Sequence, residues 1–173
     1  GASGGETDVL IVSAGATANA TNITSFTADS STSNSGTANL TTKVGGGTID
    51  IGNSTTGAYS LTGLSGNDTL KGNGNADIIN GGGGDDNIDG RGGNDEINAG
   101  AGDDIITVSS AGQGDGDTID GGSGTDTLSL SSGSHAFATD AKLQNINSIT
   151  LASTSTVIDL TGQTESLTIT GGA

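Results

Sequence analysis

Seven aspartates recur at a fixed spacing: Asp68, Asp77, Asp86, Asp95, Asp104, Asp117 and Asp126. Each stands two residues before an aliphatic side chain: Leu70, Ile79, Ile88, Ile97, Ile106, Ile119 or Leu128. Each also closes a glycine-rich run. Paired carboxylates can serve glycoside chemistry, but that needs two differing environments, and these repeat identically. Identical carboxylates among flexible backbone carbonyls suit the capture of a hard cation by oxygen ligands alone. The blocks that carry them are nine residues long: GLSGNDTLK (63–71), GNGNADIIN (72–80), GGGGDDNID (81–89), GRGGNDEIN (90–98), AGAGDDIIT (99–107), GQGDGDTID (112–120) and GGSGTDTLS (121–129). Four residues, Val108 to Ala111, interrupt them.

The elements that position these carboxylates follow from the block itself. Six Gly-rich residues ending in Asp form a turn whose backbone reaches positive φ. Three residues with a central Leu or Ile form a short strand whose middle side chain is buried. Two blocks then make one 18-residue coil, and alternate blocks stack at about 4.8 Å, the separation of parallel strands. The expected Asp pairs are 68/86, 86/104 and 104/126 on one side and 77/95 and 95/117 on the other. Stacked carboxylates repel unless a cation lies between them. Ca2+ accepts six to eight oxygen ligands, whereas Mg2+ keeps its waters and strict octahedral geometry and should substitute poorly.

The pattern resembles the RTX family of secreted bacterial proteins, whose G-G-x-G-x-D-x-U-x nonapeptide is a known Ca2+-binding repeat. The likeness covers residues 63–129, with Leu64, Asn73, Arg91 and Gln113 at the second Gly, Asn75 and Asp115 at the fourth, and Ala99 at the first. It implies an all-β fold, a parallel β-roll or β-solenoid, with Ca2+ as the cofactor. The metal ligands would be the seven Asp together with backbone carbonyls around Gly63, Gly66, Gly72, Gly74, Gly81, Gly83, Gly84, Gly90, Gly92, Gly93, Gly100, Gly102, Gly121 and Gly124. Blocks 72–80 and 112–120, which depart most, would be the weaker sites.

Three segments are expected within one continuous solenoid: a Ser/Thr-rich flank (1–62), the calcium roll (63–129) and a second flank (130–173). The nine-residue step extends beyond the roll: Leu40 and Ile49, Leu61 and Leu70, then Ile149, Ile158 and Leu167, and Leu151, Leu160 and Ile169. Asp140–Ile146 is the one weak helical candidate. Gly-Gly-Glu-Thr-Asp8 echoes the run before Asp126, and Asn22-Ile-Thr-Ser-Phe-Thr echoes Asn145-Ile-Asn-Ser-Ile-Thr. The piece therefore reads as a fragment of a longer repeating array.

Composition agrees with a cation-dependent fold. Among 173 residues there are 33 Gly, 2% aromatics and no Cys, Pro, Met or Trp. So little bulky side chain argues against a conventional compact enzyme core. The net charge is −16, which repels phosphates, so nucleic acid is not an expected partner, and no apolar run is long enough for membrane insertion. Without Cys there is no disulfide scaffold, thiolate zinc site or cysteine nucleophile. The single His135 reads as part of a polar loop, because neither H-E-x-x-H nor G-x-S-x-G accompanies it. Asp8, Asp50 and Asp159 read as solvated surface acids. A threonine rank able to bind ice would run through residues 150, 159 and 168, but Asp159 breaks it.

The expected function is non-catalytic: a structural module that folds and assembles with Ca2+. The Asn-Ile-x-Ser-Ile-Thr-Leu and Glu-Ser-Leu-Thr-Ile-Thr-Gly runs, with the Ser/Thr/Gly bias, resemble surface-layer proteins that carry RTX blocks. That likeness implies type I secretion, a place on the surface of a Gram-negative bacterium and self-association in a lattice. It also implies attachment to cell-surface polysaccharide through other parts of the parent. The rivals are a segment of a large RTX adhesin and the C-terminal folding domain of a secreted protease or lipase.

Overall fold

The computed structural model describes residues 9–109, 116–137, 139, 142–152, 156–161, 163–164 and 166–171. Among the described residues every regular element is a β-strand, and no helix is long and apolar enough to cross a membrane. All strand pairs are parallel. A first sheet stacks Ser25–Thr27, Thr48–Asp50, Thr69–Lys71, Asn87–Asp89, Ile105–Val108, Thr127–Leu130, Ser148–Leu151 and Thr168–Thr170 in chain order. A second stacks Thr17–Ile23, Thr37–Thr42, Ser60–Thr62, Ile78–Gly83, Glu96–Ala101, Thr118–Ser123 and Leu143–Gln144. The chain alternates between the two sheets, so it winds as an all-β parallel solenoid. Two small pairs, Ile11–Val12 with Ser33–Asn34 and Gly133–Ala136 with Thr156–Asp159, widen its ends.

Alternation along each strand explains which residues form the core. In the repeat, positions six, eight and one (Asp, aliphatic, Gly or Ala) turn inward and position seven turns outward. Ile49, Leu70, Ile88, Ile106, Leu128 and Ile149 form one inward column. Leu40, Leu61, Ile79, Ile97, Ile119 and Leu143 form the other. The roll thus buries little more than one large side chain per strand.

The 18-residue coil holds where the blocks are uninterrupted: Leu70 pairs with Ile88 and Ile88 with Ile106. Elsewhere the coil is longer. Ile106 meets Leu128 across the four-residue insertion, Phe26 meets Ile49 23 residues on, and Ile119 meets Leu143 24 residues on. Upstream, Leu40 and Ile49, like Leu61 and Leu70, lie half a coil apart on opposite sheets.

Downstream the nine-residue step is overturned. Ile149 faces Ile169, and Ile158 faces His135 in a separate pair. With longer loops, nine residues no longer halve a coil. The rank of residues 150, 159 and 168 does not form either, because Thr150 lies beside Thr170 and Asp159 beside Ala136. The helical candidate is replaced by the strand Leu143–Gln144, which Ile119 and Asp120 bind through the parallel ladder. Asp140 and Ala141 lie outside the described residues. His135 is in a strand, not a polar loop, and is 1% exposed. Its pairing with Ile158 turns the ring inward, with Nε2 3.2 Å from the carbonyl oxygen of Ser131.

The Asn22/Asn145 echo has a structural basis. Both residues take positive φ, 62° and 54°, and each leads into a strand of the first sheet. The echo at Asp8 lies outside the described residues.

Adjacent Ile78 and Ile79 test the register. Ile79 is fully buried while Ile78 is 46% exposed. Denaturant unfolding in saturating Ca2+ should show Ile79→Ala costing about 2–5 kcal/mol and Ile78→Ala within about 0.5 kcal/mol of the parent. A one-residue slip would exchange the two results.

Candidate metal centre

Each repeat Asp enters a strand, and its main chain is held by the ladder. The carbonyls of Asp68, Asp77, Asp86, Asp95 and Asp104 accept N–H bonds of 2.8–2.9 Å from the next coil. That register aims each carboxylate at the coil before it. The Asp68 N–H donates to Asp86 Oδ1 (2.8 Å), Asp86 to Asp104 (2.7 Å) and Asp104 to Asp126 (3.0 Å). On the other side Asp77 donates to Asp95 and Asp95 to Asp117, both at 2.8 Å. The structure thus brings together all five Asp pairs expected from the spacing, including the two that span the insertion. Each column begins with a plain backbone donor: Gly47 N–H to Asp68 Oδ1 at 2.6 Å and Tyr59 N–H to Asp77 Oδ1 at 2.8 Å.

The second carboxylate oxygen carries the functional information. Oδ2 of Asp68, Asp86, Asp95, Asp104 and Asp126 is buried without a hydrogen-bond partner. A buried anionic oxygen left in this way is costly and calls for a compensating charge. The glycines at position one supply the space. A Cβ placed on Gly63 would lie 2.7 Å from Asp68 Oδ2 and collide with the Gly81 carbonyl oxygen. On Gly72 it would lie 2.6 Å from Asp77 Oδ2 and 2.5 Å from the Gly90 oxygen. On Gly81 it would meet both Asp86 Oδ2 and the Ala99 oxygen. A carboxylate oxygen and a main-chain carbonyl from the next coil therefore border one small gap. Gly90 and Gly121 make the same approach to Asp95 and Asp126.

The remaining glycines shape the turn. At position four Gly66, Gly84, Gly93, Gly102 and Gly124 take φ of 92–137°, and Gly100 at position two takes 115°. The Gly83 carbonyl accepts the Gly66 N–H at 2.6 Å, and Gly92 donates to the Asn73 carbonyl at 3.0 Å. A Cβ on Gly74 would meet open space. The carbonyl of Ala99 enters a gap although its residue replaces a Gly; motif reading passes over it because only its side chain departs from the pattern.

Asp77 differs from its neighbours: its Oδ2 already accepts the Asn73 N–H at 2.9 Å. The donor is the Asn73 main chain, so this pairing comes from the local backbone path and not from the Asn side chain. In block 112–120, residues 112–115 lie outside the described residues. Asp50 is not simply solvated, because Arg91 reaches it with Nη2 3.1 Å from Oδ1. Asp159 is exposed and binds the Thr161 N–H and hydroxyl. Asp8 lies outside the described residues.

Among the described residues no three His, Cys, Asp or Glu side chains converge on one point. At Gly63, Gly72, Gly81 and Gly121 the donor set is instead carboxylate plus carbonyl, all oxygen, which fits Ca2+. Burial in the columns pushes the carboxyls upward: Asp95 to about 8, Asp77 and Asp86 to about 6. Asp104 and Asp126 also rise, chiefly through burial. Backbone hydrogen bonds oppose the rise, and neighbouring carboxylates add to it at Asp95 and Asp86.

The fold and its carboxylate columns define a calcium-binding β-roll. A family model for the RTX calcium-binding nonapeptide repeat matches residues 55–88, 80–110 and 111–134. Residues 55–134 are therefore RTX repeats, and Ca2+ is their cofactor. No curated protein and no solved structure matches the chain.

Asp86 belongs to two stacked pairs and Asp68 to one. Asp86→Ala should therefore lose about two bound Ca2+ and Asp68→Ala one, measured by calorimetric titration; equal losses would contradict the stacking. The raised carboxyl values set the pH response. Folded Asp95, Asp86 and Asp77 hold protons above the ordinary value of 3.8. Stability of the metal-free fold is thus greatest in acid and falls as pH rises from about 4 to about 8. Ca2+ must displace those protons, so affinity should increase across the same window. Any metal-free fold should therefore be most populated near about pH 4 and lost toward about pH 8, which circular dichroism in chelator across that range checks; a β spectrum that grows as pH rises would refute it.

Proposed function

We propose that this chain is a non-catalytic structural module of a bacterial surface-layer protein, exported by type I secretion and folded by Ca2+ outside the cell. RTX repeat proteins are typically secreted, and the repeats mark a Ca2+-binding structural domain. The observation that carries the reading is the row of buried, unpartnered Asp Oδ2 atoms. Asp68, Asp77, Asp86, Asp95, Asp104, Asp117 and Asp126 would hold the ions with neighbouring carbonyls. Bound Ca2+ supplies the positive charge that lets stacked carboxylates share a solenoid interior. At low Ca2+, repulsion and glycine entropy keep the chain loose for export.

Assembly follows from the same charge. Residues 63–129 contain thirteen acids against Lys71 and Arg91. Five divalent ions, one for each stacked Asp pair, bring that segment close to neutrality, and low net charge favours association. The Ser/Thr-rich coils on both sides continue the two sheets, which suits a lattice subunit in which the roll is one stretch of a longer solenoid. Polysaccharide attachment would fall to other parts of the parent.

The parent protein should be soluble in chelator and form two-dimensional sheets at millimolar Ca2+, by electron microscopy and light scattering. Equal Mg2+ should restore neither fold nor assembly. A parent that folds with Ca2+ yet stays monomeric would refute the lattice reading and favour an adhesin segment or the folding domain of a secreted enzyme.

A further inference from the structure

The column through Asp68, Asp86, Asp104 and Asp126 does not stop at the last nonapeptide. Ile149 stacks on Leu128 in the first sheet, so Asn147 falls in the register position of the repeat Asp, two residues before the inward aliphatic. Its side chain behaves accordingly. Asn147 Oδ1 accepts the Asp126 N–H at 2.7 Å, as Asp104 Oδ1 accepts the Asp86 N–H at 2.7 Å.

The gap beside it shares a carboxylate oxygen and a main-chain carbonyl with those inside the repeat, closed by a shorter turn. Asp126 is fully buried and its Oδ2 has no partner. A Cβ on Gly121 would lie 2.9 Å from that oxygen and collide with the Asn145 carbonyl oxygen. At Gly81 the corresponding atoms are Asp86 Oδ2 and the Ala99 oxygen. By ladder register Asn145 thus stands for the position-one residue and Asn147 for the position-six residue, with one residue between them where the repeat has four, in a coil with no nonapeptide motif.

We propose that a further Ca2+ site lies between Asp126 and Asn147, with Asp126 Oδ2, the Asn145 carbonyl and Asn147 Oδ1 among its ligands. Ca2+ accepts amide and main-chain oxygens, and fewer charged ligands lower its affinity. With one carboxylate where the interior sites have two, this is a weaker site that fills after them. The upstream end has no equivalent, because Gly47 offers Asp68 an N–H but no side-chain oxygen.

The inference rests on the calcium reading of the Asp columns, and the experiment separates the two. Native mass spectrometry and calorimetric Ca2+ titration would compare the full chain with Asn147→Leu, Asn147→Asp and Asp86→Ala. Asn147→Leu should bind one Ca2+ fewer with the interior sites unchanged. Asn147→Asp should keep the count and tighten the weakest site by about tenfold or more. If Asp86→Ala loses Ca2+ while both Asn147 variants match the parent, the terminal site is refuted alone. If Asp86→Ala also matches the parent, the column reading itself fails, and this inference with it. Should Asn147→Leu not fold in Ca2+, Asn147→Asp decides: unchanged affinity at every site overturns the proposal.

Discussion

Parallel strand pairing places equivalent atoms of successive coils about 4.8 Å apart. An acid on the inward face of every coil must therefore lie close to its like-charged neighbours. The rest of the roll depends on resolving that repulsion. Each Oδ1 is occupied by a backbone N–H of the coil before it, which orients the carboxyl but does not neutralise it. The free Oδ2 atoms of Asp68, Asp86, Asp95 and Asp126 border gaps that exist because position one has no side chain. Divalent ions in those gaps would convert a repulsive column into a cross-link between coils.

The same geometry explains the thin core. One Leu or Ile per strand buries about 1.5–3 kcal/mol of side chain, against glycine-rich turns with unusually high backbone entropy. The buried aliphatics and the buried carboxylates are then two parts of one inward row, at positions eight and six. In the flanks, uncharged residues replace the carboxylates. Ala38, Gly47 and Tyr59 stand two residues before Leu40, Ile49 and Leu61, where the repeat has Asp, and the buried Tyr59 hydroxyl meets Ser54 at 2.8 Å. These neutral residues need no ion, so cation dependence is concentrated in the middle of the solenoid.

The repeat was legible because two independent markers, Asp at six and an aliphatic at eight, recur together and define both coil length and side. The flanks were less legible because they keep only the aliphatic marker. Without a Gly-Asp turn to bound it, a nine-residue interval between Ile149 and Ile158 looks like half a coil, although Ile158 lies in the separate pair with Gly133–Ala136 and not in the second sheet. His135 was misread because a polar residue among Ser and Gly signals a loop, while its inward direction is set by the distant strand Thr156–Asp159. The Arg91–Asp50 ion pair spans 41 residues and leaves no local signal. Asn147 differs from the motif by one atom type, and its place emerges only after Ile149 is stacked on Leu128.

The insertion of Val108–Ala111 leaves the ladders on both sides in step: Thr107 still meets Ser129, and Glu96 still meets Thr118. Circumference and axial pitch are therefore separate variables in this roll. Residues can be added between two ladders while the rise along the axis stays fixed by strand hydrogen bonds. Such a scaffold can acquire lateral outgrowths by simple insertion at a turn, with its ion-spaced spine running through them unchanged.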